Sequence, residues 1–265
     1  MKTLFIAWKD SANTRAWYPV GRLDADVKAK HYRFRYLQGA LQANRDCGFA
    51  AFDSFPQFER SYVSAELFPL FANRLQNASR PSFQEYLRRL DFQFDAPDAI
   101  DPIELLATSE GRRVTDNLEV FPKVERGVDG SFSIKFFLHG WRHIHPYAIE
   151  RINLLQPNEQ LGVSIETTNP VATWALQIQT VDYVIIGWAP RYLFEDLIHI
   201  ISQGACPVEA TVARVNPPPA PPGQRVMVRF RGCWPAGYEP MSTEAFRPVV
   251  SDEIVPSSKL ETALH

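Results

Sequence analysis

The chain has 265 residues, 45% of them hydrophobic and 22% charged, which is a globular composition at a length that suits one large domain or two ordinary ones. Lys plus Arg number 28 against 30 Asp plus Glu, so the protein is not polybasic, and any contact with nucleic acid has to come from a local patch. No run approaches the roughly 18 apolar residues of a membrane span. Three widely spaced cysteines, Cys47, Cys206 and Cys233, without a C-x-x-C pair, point to a reducing cytoplasm and away from a disulfide framework or a cysteine zinc site.

The opening apolar run is cut at Trp8, Lys9 and Asp10, too short for a signal peptide, and reads as a first strand. Residues 16–23 give a second. In 31–41, Tyr32, Phe34 and Tyr36 alternate with Arg33 and Arg35, the period of a half-buried strand. Residues 61–76 change period and predict a short helix capped by Ser64, carrying Leu67, Leu70, Phe71 and Leu75. A second helix over 79–93 has Ser82 as cap, and a third within 99–117 stops near Gly111. From residue 120 the texture becomes β-rich. Val128-Asp129-Gly130-Ser131 is a turn, "FSIKFFLHGW" is a strong strand, and "RHIHPYAIERIN" is irregular. Three strands follow at 159–168, 172–180 and 183–190, then an amphipathic helix over 191–204 closed by Gly204. Strands at 208–216 and 224–234, joined by a stiff "PPPAPPG" segment, complete the second half. The expected fold is α+β with mostly antiparallel strands. It has two small domains, residues 1–118 and 130–248, the second barrel-like with one packed helix, and a loose tail over 249–265.

Candidate chemistry is sparse. His143-x-His145 would share a face on a strand, but a metal site needs three or four ligands and no nearby strand supplies a Cys or Asp. No metal or cofactor is expected. Gly-x-Ser-x-Gly and His-Glu-x-x-His are absent, Glu195 and Asp196 are helix neighbours that do not face each other, and Glu110-Gly111-Arg112-Arg113 reads as turn chemistry. No enzyme is expected. Arg142, Trp188 and Arg191 could line a groove in which Arg contacts phosphate and Trp or His stacks on an unpaired base. Trp174, alternating with Leu176 and Ile178, reads as core. Asn169-Pro170 reads as a turn or bulge. Arg225, Arg229 and Arg231 read as the solvated face of an edge strand.

"HGWRH" (139–143), "ETTNPVATWALQI" (166–178) and "IIGWAPRYLFEDL" (185–197), in that order around a strand–turn–strand–helix run, resemble the HIRAN domain over about residues 133–235. The resemblance implies recognition of single-stranded or damaged DNA ends, with Arg142, His143, Asn169, Trp188 and Arg191 as the carried-over site. The family's Tyr-Asp pair after Asn-Pro, which stacks on a base and contacts the terminal 3′-hydroxyl, is Val171-Ala172 here. In the first half, "GRL" (21–23), "YRFRY" (32–36) and "SFPQFERSYVSAELFPLFANRL" (54–75) resemble the small N-terminal subdomain of HipA-type kinases, without the kinase core. That resemblance implies a protein-interaction domain in a bacterial regulatory or defence setting. The alternative reading is an accessory factor of a HipA-like toxin–antitoxin system, whose HIRAN-like half is a degenerate scaffold.

Overall fold

The computed structural model describes residues 1–12, 14–92, 100–113, 116–169, 173–204 and 206–251. The chain is α+β and carries two antiparallel sheets, the first five-stranded and the second six-stranded. The first is ordered β4-β3-β2-β1-β5 and comprises β1 (Lys2–Lys9), β2 (Trp17–Asp26), β3 (His31–Tyr36), β4 (Tyr62–Ser64) and β5 (Leu118–Pro122). Alternation along β1 divides its side chains between two cores. Leu4 and Ile6 pack with Val20, Leu23 and Phe34 inside the first half, whereas Phe5 and Ala7 pack toward the second sheet. Strand β5 behaves likewise: Val120 faces the first core, and Phe121 faces the second.

Strand β3 is buried more deeply than a half-buried pattern predicts. Tyr32, Phe34 and Tyr36 lie in the core, Phe34 stacks on Phe55 at 4.0 Å, and the Tyr36 hydroxyl ties down the 49–58 loop through Phe52 N and Phe55 O. On the other face, Arg35 is buried and reaches Asp24 Oδ2 at 3.0 Å. Asp24, 1% exposed, also accepts from Arg22 Nε at 2.9 Å and Thr3 Oγ1 at 2.7 Å, and Arg33 lies 3.6 Å away. Burial raises the Asp24 carboxyl, but the Arg22 and Thr3 hydrogen bonds and the surrounding charge outweigh it and hold it below the ordinary carboxylate value.

Three local expectations change. A helix not predicted, α1 (Gln38–Cys47), follows β3 and is closed by Gly48 in the left-handed region. Its buried face is Gly39, Ala40 and Ala43, too small to leave a strong periodic signal. The helix predicted over 61–76 shrinks to α2 (Pro69–Ala72). Ser64 ends strand β4 instead of capping, and its hydroxyl accepts from Glu66 N in a local turn. Helices α3 (Phe83–Arg89) and α4 (Pro102–Ser109) fall where predicted; the Asp101 carboxylate caps α4 by accepting from Ile103 N.

The second sheet is ordered β6-β11-β10-β7-β8-β9, from β6 (Ser131–Phe137), β7 (Gln160–Asn169), β8 (Thr173–Thr180), β9 (Ile185–Trp188), β10 (Glu209–Val215) and β11 (Val226–Cys233). Helix α5 (Pro146–Asn153) replaces part of the stretch read as irregular, with Pro146 in its first turn and His145 Nδ1 accepting from Tyr147 N. Helix α6 (Phe194–Gln203) packs Leu197 and Ile200 into the core and ends at Gly204. The sheet is not a closed barrel. Its two edges meet in one bridge, where His139 N donates to Trp188 O at 2.9 Å and Trp188 N to His139 O at 3.1 Å. Gly187 makes this approach possible: its φ is +152°, and a Cβ there would lie 2.8 Å from the His139 carbonyl.

Two residue readings are corrected. Strand β11 pairs on both sides, so its arginines do not guard an edge. Arg225 is buried, donates to Asn216 O and Asn153 Oδ1, both at 2.6 Å, and covers the Trp141 ring at 5.1 Å. Trp174 is not core but 48% exposed, at the start of β8. Beyond β11 the chain returns to the first half. Gln38 N donates to Arg247 O, Val249 N donates to Tyr36 O, and Phe246 meets Phe5 edge-on at 4.9 Å. Of the tail read over 249–265, residues 252–265 lie outside the described residues. No helix among the described residues is long and apolar enough to cross a membrane.

Candidate nucleic-acid interface

The bridge between the sheet's edges builds a cleft of about 440 Å³. One wall comes from the turn into α5 and its first turn, with His143, Ile144, His145 and Tyr147. The other comes from the β8–β9 turn and β9, with Tyr183, Val184, Ile185 and Trp188. Gly140, at φ +79°, lies flat against the Trp188 ring, and a Cβ there would sit 2.2 Å from ring carbon Cε3. The indole is fixed from the far side as well, since its Nε1 donates to Glu166 Oε2 at 2.8 Å. Asn169 Nδ2 donates to the same oxygen at 2.8 Å. Burial raises the Glu166 carboxyl, but the hydrogen bonds of Asn169, Trp188 and Gln177 together outweigh it and hold it below its ordinary value. Tyr147 is 57% exposed and Tyr183 81%, unusual for residues with so much apolar ring surface. Arg142, one position before His143, is exposed and forms no ion pair or hydrogen bond among the described residues.

A second cleft, of about 500 Å³, runs between the halves and is lined by Trp17, Tyr18, Trp174, Arg191, Phe194 and Phe246, among others. Arg191 Nη1 donates to Trp174 O at 2.5 Å and its guanidinium lies 5.9 Å from the Phe194 ring centre. It has no carboxylate partner among the described residues, and burial alone lowers its pKa. The five residues named from sequence therefore do not form one pocket. His143 and Trp188 share the first cleft, Asn169 supports it through Glu166, Arg142 precedes His143 but lines neither cleft, and Arg191 belongs to the second. Val171 and Ala172, which replace the family's Tyr-Asp pair, lie outside the described residues.

Sequence reasoning missed a buried polar cluster at the seam of the two halves. Glu110 is not simply a turn residue. It adopts a left-handed conformation at the end of α4, φ +59°, which turns its side chain inward, and it is 3% exposed. Glu119 is on the Phe121 face of β5 and is 4% exposed. Arg112 Nε donates to Glu110 Oε2 at 2.9 Å, and its Nη2 contacts both Glu119 Oε1 and the His139 ring. His139 Nε2 and the Tyr192 hydroxyl each lie 3.3 Å from Glu110 Oε1. The Tyr192 ring stacks on Phe121 at 3.8 Å. Burial pushes both carboxyls up. At Glu110 the charges of Arg112 and His139 prevail and hold it low, whereas Glu119 remains raised. Only the unusual Glu-Gly-Arg-Arg turn hinted at this in the sequence, because its partner His139 lies 29 positions from Glu110.

Two solved structures resemble part of this fold. One is a protein from Lactobacillus plantarum, with a TM-score of 0.31 and 14% identity, covering 38% of this chain and 96% of that one. The other is the HIRAN domain of human HLTF, with a TM-score of 0.28 and 16% identity, covering 40% of this chain and 78% of that one. No protein-family model matches the chain, and no curated protein sequence does. The resemblance of the first half to HipA-type kinases has no counterpart in these comparisons.

Proposed function

We propose that this protein is a non-enzymatic binding module that takes the end of a single DNA strand in the cleft beside Trp188. One observation carries the reading: Trp188, His143, His145, Tyr147 and Tyr183 converge on a single cleft, and Arg142, unpaired among the described residues, precedes His143 in the chain. Unpaired bases stack on such rings, each platform contributing about 1–3 kcal/mol, and a free guanidinium supplies the phosphate contact. The volume, about 440 Å³, lies in the range of pockets that enclose a small ligand, about 300–1,000 Å³. That favours one terminal nucleotide over a long strand tracked along a groove. The overall charge balance agrees, because a module that recognises an end needs few phosphate contacts.

The first half serves in this reading as a scaffold and a surface for a protein partner, in the bacterial regulatory or defence setting implied by its HipA-like sequence. The free cysteines suit a cytoplasmic protein. Fluorescence anisotropy with labelled single-stranded DNA, 3′ end free or blocked, tests the proposal against duplex and RNA controls in a salt series. Saturable binding that weakens when the end is blocked, and again in Trp188→Ala, is the expected result. No binding at low salt, or binding indifferent to both changes, refutes it.

A further inference from the structure

We propose that Glu110, Glu119 and His139 form a site for a divalent transition-metal ion at the seam between the two halves, with Arg112 as its displaceable cover. The three side chains each bring one ligand atom within 4.8 Å of the others. Ligand atoms about 2.0–2.2 Å from one ion lie no more than about 4.4 Å apart, so a small rotamer adjustment closes the set. Three protein ligands are the number that leaves a coordination position for water or another small ligand.

Two further observations point to a cation. The Glu119 side chain is 5% exposed, yet its Oε2 has no hydrogen-bond partner among the described residues. A buried carboxylate oxygen left this way is costly, and a metal would satisfy it. The donor set is also that of a cation site: two buried carboxylates converge with one imidazole. A divalent ion with two carboxylates and a neutral imidazole is balanced without Arg112. Arg112 can leave, since its side chain is 35% exposed and only its guanidinium reaches inward. Two carboxylates and one imidazole suit Mn²⁺ or Zn²⁺ better than Mg²⁺ or Ca²⁺, which take oxygen ligands alone. Tyr192, 3.3 Å from Glu110 Oε1 and held flat on Phe121, is placed to orient that ligand.

The test uses the full chain, stripped with chelator and titrated with MnCl₂, free ion being followed by electron paramagnetic resonance. Manganese is preferred as probe because Cys206 and Cys233, which contact each other, would compete for zinc. The expected result is one ion per chain, with affinity lowered at least about tenfold by Glu119→Gln and by His139→Gln. Arg112→Met should bind more tightly than the parent, a gain that misfolding cannot produce. Absence of binding overturns the proposal, as does binding that all three substitutions leave unchanged, which would place the ion elsewhere, for instance on His143 and His145.

Discussion

Both sheets bury aromatic and polar side chains, but the second also leaves a group of them open. In the first, Asp24 is surrounded by Thr3, Arg22, Arg33 and Arg35, and Phe34, Tyr36, Phe55 and Phe71 are fully enclosed. The second leaves Tyr147, Trp174 and Tyr183 largely open and Arg142 unpartnered among the described residues. Groups of the same chemical kind thus act as structure in the first sheet, and in the second some of them remain available. At the seam, two buried carboxylates meet a single arginine, an arrangement that follows neither pattern.

The contrast can be broken most forcefully at Asp24. Asp24→Asn leaves three arginines without their carboxylate and should cost about 3–5 kcal/mol in urea unfolding at neutral pH. Its pH dependence has a definite sign. The folded-state pKa is depressed, so the stabilisation is fully present above the ordinary carboxylate value of 3.8 and is lost as pH falls through the folded-state value. Unfolding midpoints of the parent should drop in that acid range, and those of Asp24→Asn should drop less. Next in size, Trp188→Ala should weaken single-strand binding by about 1–3 kcal/mol in anisotropy titrations. Tyr147→Ala sharpens the comparison: binding should weaken while stability stays within about 0.5 kcal/mol of the parent, because the ring is already in water. The smallest effect is expected for Arg142→Ala, a reduction of about one in the slope of log affinity against log salt, with thermal stability unchanged.

The strands of the second half could be read from sequence because alternation and turn residues are local signals. So could α6, whose apolar stripe ends at a glycine. Helix α1 escaped because it buries Gly39 and two alanines, and α5 because His145 and Pro146, which start it, resemble a loop. The case of Trp174 shows the limit of period two. Alternation assigns a residue to a face, but only neighbouring elements decide whether that face is covered, and at the start of β8 the cover stops short. Within the proposed interface, the pairing of His143 with Trp188 followed from motif order. The separate location of Arg191 did not, because the first half supplies the opposite wall of its cleft. The seam cluster was invisible for a related reason. Its members come from α4, β5, the segment after β6 and the turn before α6, brought together only by long-range packing.

The return of residues 246–249 to β3 and α1 bears on the order of events during synthesis. A polypeptide leaving the ribosome completes all five strands of the first sheet at Pro122, yet the hydrogen-bonding partners of Tyr36 and Gln38 emerge only with Arg247 and Val249. At about 5–20 residues per second, that interval is of the order of ten seconds. During it, Phe5 lacks the Phe246 ring and the nascent first half displays an apolar face to the crowded exit region, a window in which chaperone engagement should be greatest.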